Sequence, residues 1–417
     1  MTNHRENWAG HVPYCATHYH SPATIAELQA IVSAASKVRV IGARHSFNQI
    51  HDCTETILSL DNLDKTVTID DVRQTVTVNA GITYHELCPQ LHEAGYALHN
   101  LASLDHITVI GACMTATHGS GDRHGNLATV VSGLEMVTAA GEIVTLSRAK
   151  DGAQFDGAVV ALGALGVVTK VTLDLLPTFT MQQDIYEKLP LTHVYDHFDA
   201  IMSAGYSVSL FLDWQQDWVN TVWVKQQLTK DRRLAVPTTF FDATLLPSER
   251  PTDPDSDRYS TPAGLPGPWH ERLPHFYLKD PLRQGNELQS EYFVARDQAV
   301  AAIRAVAQLR AGLAPIIGVT EIRTVAADDL WLSPAYGQDI VGIHFNWQKK
   351  WAAVQHFLPT LEATLAPFQP RPHWGKLFGI APAQVQARYA RLADFQALAH
   401  TYDPQGKFRN AFLDAYL

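Results

Sequence analysis

Cysteine is scarce in this chain: the 417 residues hold four, Cys15, Cys53, Cys88 and Cys113, each alone and none in a C-x-x-C pair. That spacing argues against a zinc site or a disulfide framework, and the four are expected to be free, mostly buried thiols. Long apolar runs are missing too. The longest, residues 158–168, is too short to span a bilayer and continues into Lys170 and Asp174. The first ten residues, M-T-N-H-R-E-N-W-A-G, lack the apolar core of a secretory signal, so a cytoplasmic protein without membrane attachment is expected. Charge is sparse at 18% of residues and unbalanced, with 42 Asp and Glu against 32 Lys and Arg, a net −10. That field repels nucleic acid and leaves a neutral or polar small molecule as the easier partner. The glycines nowhere form G-x-G-x-x-G, which disfavours a Rossmann dinucleotide fold. Metal-ligand spacing, internal repeats and low-complexity tracts are also absent from the sequence.

What is present is a 46% hydrophobic composition, ample for a large core in two domains or one large split one. The first 180 residues mix helix and strand signals. Capping boxes at Thr24 to Glu27 and Thr83 to Glu86 open two helices, the second ending at Gly95. Alternating segments at 65–70 and 74–79, and at 134–138 and 142–146, read as two hairpins. The most informative stretch is V-R-V-I-G-A-R-H-S-F-N, residues 38–48, where an apolar strand breaks into a glycine turn that presents His45. T-H-G-S-G, residues 117–121, is a second turn of this kind. Two such turns can offer backbone N–H groups to one diphosphate, beside a histidine able to ligate or bond what the diphosphate carries. A bound dinucleotide is therefore expected, with Gly42, Ala43, Arg44, His45 and Ser46 in one turn and Thr117, His118, Gly119 and Gly121 in the other.

Further along, Glu321 and Arg323 lie two residues apart and so share one strand face; His344 and Asn346 repeat the spacing. A solvent-facing edge strand would look the same locally. Flanking Val319, Ile322, Val341, Ile343, Phe345 and Trp347 argue instead for burial, where polar side chains need partners or a ligand. Lys376 follows R-P-H-W-G, and beside Trp374 it reads as a lysine desolvated enough to have a lowered pKa, with a surface lysine as the alternative. Residues 247–268, rich in proline, read as a long surface loop over a cleft, and 299–313 as an amphipathic segment.

Taken with L-A-S-L-D-H-I-T-V-I-G (101–111), G-A-L-G-V-V-T-K-V-T-L (163–173), L-Q-S-E-Y (288–292), E-I-R-T-V-A-A-D (321–328), H-F-N-W (344–347), R-P-H-W-G-K (371–376) and D-P-Q-G-K-F (403–408), the two turns resemble the vanillyl-alcohol-oxidase type of flavoenzyme. Within that superfamily the chain resembles the alditol oxidases over nearly its whole length. The resemblance implies an α+β, two-domain FAD-binding fold with an α+β substrate-binding cap: residues 1–180 hold FAD, 181–376 form the cap, and 377–417 return to the FAD domain. It implies FAD bonded covalently through His45, with Ser103, Gly111 and Val168 also on the cofactor. Carried over by position, Lys376 and Arg323 contact the terminal hydroxyl that is oxidised. Glu321, Ser103, Gln289 and His344 hold the next hydroxyls, and Asn346 lies further along. Lys376, Arg323, His344 and Glu321 are the catalytic candidates.

The implied reaction takes an alditol such as xylitol or sorbitol to the aldose on a monomeric enzyme, with oxygen reduced to hydrogen peroxide. Two departures stand out: Arg44, where relatives often have glycine, and Asn346, where many have threonine. Ala102 sits where a small side chain governs oxygen access. A sugar-1,4-lactone oxidase or dehydrogenase, which shares H-W-x-K, is the alternative reading. From another class come a flavin-binding protein without turnover and a nicotinamide-dependent flavin reductase, neither of which accounts for E-I-R together with H-W-G-K.

Overall fold

Two threonines start helices as the sequence predicts, with one difference. Thr83 forms the full capping box: its hydroxyl accepts from Glu86 N, and the Glu86 carboxylate accepts from Thr83 N at 2.9 Å, opening the helix Tyr84–Glu93. Thr24 accepts from Glu27 N at the head of Ile25–Ala34, but the Glu27 carboxylate reaches back to Ala23 N, so this box closes one residue early. A computed structural model describes residues 5–228, 234–247, 258–278 and 285–417.

The strand Val38–Ile41 lies in a small parallel sheet with His18–His20 and Thr56–Ser59, the last in the middle. Both predicted hairpins form and join the strand Val167–Asp174 in a five-stranded antiparallel sheet, in the order Val67–Asp70, Thr75–Asn79, Val167–Asp174, Val131–Val137, Ile143–Ser147. Gly141 takes a φ of +83° in the second hairpin turn, a conformation open to glycine. This is the mixed α+β architecture expected, and it is not a doubly wound parallel sheet.

Downstream, antiparallel strands from Thr180–Pro190 to Arg371–Pro372 build one ten-stranded sheet among the described residues. Its middle runs Trp218–Leu228, Ser207–Leu212, Ile317–Val325, Ile340–Gln348, Glu287–Ala295. The strands bearing Glu321, Arg323, His344 and Asn346 are thus interior, and the solvent-edge alternative is excluded. The amphipathic segment forms two helices, Ala299–Ala307 and Arg310–Leu313, broken at Gln308 and Leu309; the first packs on this sheet and on Trp351–Leu365. Of the predicted loop at 247–268, residues 248–257 lie outside the described residues. Its described remainder is more ordered in outline than a bare loop: Arg258–Ser260 pairs with Phe276–Leu278, and Ala263 is buried against Ile185, Phe211 and Trp223.

The C-terminal segment returns to the first strands. Val38 N donates to Lys407 O, and Phe408 packs among Leu28, Val32, Val38 and Leu58. Arg39, 3% exposed, spends its guanidinium on backbone carbonyls: Ile50 O, Leu162 O, Gly163 O and Phe408 O, all within 3.1 Å. No helix among the described residues is long and apolar enough to cross a membrane. Because Thr83 makes both bonds of its box, Thr83→Ala is expected to cost about 1 kcal/mol, visible as a lower urea midpoint. Thr24→Ala should cost less; equal losses would contradict the difference between the two caps.

Candidate active site

Residues paired across strands point to the same side of a sheet. The register sets Glu321 opposite His344 and His344 opposite Glu291, so one row crosses three interior strands; Gln289 and Asn346 form the next row. Arg323 pairs with Gly342, where a Cβ would come within 3.0 Å of Glu291 Oε1. The missing side chain lets the guanidinium and carboxylate meet across that strand, Arg323 Nη2 to Glu291 Oε1 at 3.0 Å.

Glu291 is fully buried and gathers the cluster. Lys376 Nζ donates to its Oε2 at 2.5 Å, and His118 Nε2 lies 3.2 Å from Oε1. Lys376 Nζ also lies 2.8 Å from His344 Nδ1. Burial alone would raise the Glu291 carboxyl, but Lys376, His118 and Arg323 outweigh it and hold it well below the ordinary carboxylate range. Burial lowers Lys376, as the sequence predicts, against the opposing pull of Glu291. Glu321 sits across the strand Ile340–Gln348 from Glu291. Its Oε1 is 2.8 Å from His275 Nε2 and 3.5 Å from Arg323 Nε, and Arg323 and His275 outweigh its burial so that it too stays ionised. Asn346 and Gln289 both donate their amide N–H to Glu287, at 2.8 and 2.7 Å.

A single cavity joins this face to the predicted flavin turns. Its walls include Gly42, Ala43, Arg44, His45 and Ser46, then Ala102, Ser103, Gly111, Thr117, His118 and Val168, and finally Gln289, Glu321, Arg323, His344, Asn346 and Lys376. Gly119 and Gly121 lie outside that lining, and packing explains both. A Cβ at Gly119 would strike Asn100 Oδ1 and Leu101 O, and one at Gly121, φ +144°, would strike Tyr206 O and the His124 ring. The His118 ring belongs to the Glu291 cluster. Arg44 adopts a φ of +58°, in the left-handed region where glycine is at home.

The turn and the lysine loop are one unit: Phe47 N donates to Gly375 O at 2.7 Å, and Asn48 Nδ2 to Trp374 O and Lys376 O at 2.7 and 2.8 Å. His45 packs against Trp8, ring centroids 4.3 Å apart, with its Nδ1 3.4 Å from His106 Nε2. The lining fits a dinucleotide. A Cβ on Gly42 would collide with Thr108, so the turn packs its backbone closely on that side chain, and both line the cavity. Arg39, also in the wall, is a buried cation with no carboxylate partner among the described residues, complementary to a diphosphate.

Sequence reasoning missed Glu291, His275, His106 and Trp8. Glu291 was within reach, since it follows Gln289 at the i, i+2 spacing that singled out Glu321 and Arg323. Trp8 and His106 meet His45 only through tertiary structure and gave no local signal.

Fold and site together define a flavoprotein oxidoreductase of the vanillyl-alcohol-oxidase type. The FAD binding domain family matches residues 16–147, and the D-arabinono-1,4-lactone oxidase family matches residues 281–416. The chain is 44% identical over 410 residues to the alditol oxidase of Streptomyces sp. (strain IKD472 / FERM P-14339), covering 98% of this chain and 97% of that one. It is 28% identical to L-gulono-1,4-lactone dehydrogenase of Mycobacterium tuberculosis, with 97% of each covered, and 26% identical to L-gulonolactone oxidase of Bos taurus, with 98% and 97% covered. A solvent-stable cholesterol oxidase superposes with a TM-score of 0.79 at 16% identity, over 99% of this chain and 96% of the other, which shows shared fold. The chain belongs to the alditol oxidase family, FAD-dependent oxidoreductases that act on CH–OH groups with oxygen as acceptor.

The buried histidines set the acid limit of this protein. Burial first, then Lys225, pushes His275 down to about 4, and burial with Arg39 pushes His51 down to about 3, from 6.5. Between 6.5 and about 4 the unfolded chain binds protons that the folded chain refuses, so stability rises with pH through that window. Thermal midpoints are therefore expected to fall steadily as pH drops below about 6.5, before the depressed carboxylates titrate. A flat profile down to about pH 4.5 would contradict neutral, buried histidines.

Proposed function

We propose that the protein oxidises the terminal primary hydroxyl of an open-chain alditol, such as xylitol or sorbitol, to the aldose and reduces oxygen to hydrogen peroxide, on FAD bonded covalently to His45. The observation that carries this reading is Lys376: an amine held between Glu291 and His344, its side chain 12% exposed, lining the same cavity as His45, Glu321 and Arg323. The family's flavin supplies a two-electron acceptor for the carbon-bound hydride and a route to oxygen.

The chain's own residues do the rest. Lys376 in its unprotonated form takes the hydroxyl proton; burial brings that form within reach, and Glu291 at 2.5 Å then stabilises the ammonium. Arg323, a guanidinium and so no base, fixes positive charge at the reacting end, held by Glu291 and by Ser103 Oγ at 3.3 Å. Glu321, Ser103, Gln289 and His344 take the following hydroxyls. At the far end, Glu287 only accepts, so Gln289 and Asn346 turn their N–H groups to it and keep their carbonyl oxygens for substrate hydroxyls. Ala102 in the cavity wall leaves room for oxygen.

The same reading assigns residues 1–180 and 377–417 to the FAD domain and 181–376 to the cap, of a cytoplasmic monomer. The division draws support from the large sheet, whose longest strands lie between Thr180 and Gln348, and from the packing of Phe408 against the first strands.

Anaerobic mixing with xylitol or sorbitol is expected to bleach the flavin, and air to restore it with peroxide. Lys376→Met should lower kcat by about 10²-fold or more with flavin still bound, and His45→Ala should leave flavin that separates from the denatured chain. Bleaching by galactono-lactone alone would move the reading to lactone oxidation, and flavin that still migrates with denatured His45→Ala would sink the covalent assignment.

A further inference from the structure

Lys225 is wholly buried in the strand Trp218–Leu228, on the same sheet face as Ser209 and Arg323. No carboxylate lies within hydrogen-bond reach of it among the described residues. Its Nζ has three neighbours instead: Leu273 O at 2.5 Å, Pro274 O at 3.1 Å and His275 Nδ1 at 2.9 Å. Burial holds the amine well below the ordinary lysine value, and the three acceptors around it are those its hydrogens can reach. The ionised Glu321 carboxylate beside Nε2 can only accept, so the single ring proton of the neutral imidazole sits on Nε2 and Nδ1 offers its lone pair to a donor hydrogen of Lys225 Nζ. That Nε2–H points at Glu321 Oε1, 2.8 Å away.

Two consequences follow for the cavity. Both His275 and Arg323 approach the same Glu321 oxygen, Oε1, which leaves Oε2 as the acceptor for a ligand. In addition, His275 N and Phe276 N both donate to Ser103 O, at 3.0 and 3.2 Å. One short segment, 273–276, therefore fixes the side chain of Glu321 and the backbone of Ser103 at once.

We propose that Lys225 and His275 are positioning residues for substrate selection: Lys225 fixes the His275 tautomer, and His275 holds Glu321 as an ionised acceptor with Oε2 presented to a hydroxyl on the carbon next to the one oxidised. This rests on the polyol reading of the cavity. It makes a neighbouring hydroxyl donor the feature by which the site tells a polyol from a simple primary alcohol, since an ionised carboxylate left facing an alkyl group has lost a partner.

Two readouts test it on the flavin-loaded protein. Histidine-ring 15N–1H spectra need no turnover, and so judge the relay even if the polyol reading fails. The wild type is expected to show His275 as the Nε2–H tautomer from about pH 6 to 8, and Lys225→Met to mix the tautomers or let the ring titrate. In steady state, Lys225→Met and His275→Leu should raise the xylitol KM about tenfold or more, with kcat within about threefold. His275→Gln, whose amide nitrogen restores a donor toward Glu321, should bring KM back to within about threefold of wild type. A wild-type Nδ1–H tautomer would overturn the proposal, as would unchanged KM in both Lys225→Met and His275→Leu.

Discussion

A single buried carboxylate, Glu291, carries the charge balance of this site. It has no exposure to solvent, yet Lys376, Arg323 and His118 all reach it, from the loop after Arg371–Pro372, the strand Ile317–Val325 and the second glycine turn. Burial lowers His118, which meets the carboxylate as a neutral ring, while Arg323 and Lys376 bring charge that would stand uncompensated in the cavity without it. Glu291 thus keeps an arginine and a lysine in a dry cavity with defined geometry. Gly342 is part of the same device, because any side chain there would crowd the carboxylate.

Cofactor and chemistry are coupled through the backbone. The His45 turn and the Lys376 loop share hydrogen bonds from Phe47 and Asn48, so a shift of the His45 turn carries the lysine with it. Arg39 performs a similar service one step back, joining the first strand, residues 162–163 and the C-terminal segment through carbonyl contacts while leaving a positive charge in the wall. Arg44, bent into a left-handed conformation, shows that the turn is specified by what surrounds it as much as by its own residue types.

Much of this was legible in the sequence because it is local. The Thr83 capping box, two hairpins, the glycine turn and the i, i+2 polar pairs depend on neighbours in the chain and appear where the pattern put them, while at Thr24 the helix starts as expected with the box closed one residue early. The cysteines also follow expectation: none is paired, and only Cys15 is exposed. What stayed hidden is long-range. Glu291 looks like one more strand residue until the register sets it beside His344, and Trp8 meets His45 only after the N-terminal segment folds back. Gly119 and Gly121 carried the signature of a phosphate turn, yet tight packing against Asn100 and Leu101 at the first and against Tyr206 and His124 at the second requires them. Glycine reports that space is short without saying what fills it.

The central role of Glu291 is tested most directly by the rate at which xylitol reduces the bound flavin without oxygen, in wild type and in Glu291→Gln. Glutamine keeps the shape but removes the charge that offsets Lys376 and Arg323. Reduction is expected to slow by about 10²-fold or more while the flavin stays bound. Equal rates in the two proteins would show that the lysine and arginine find their working geometry without it.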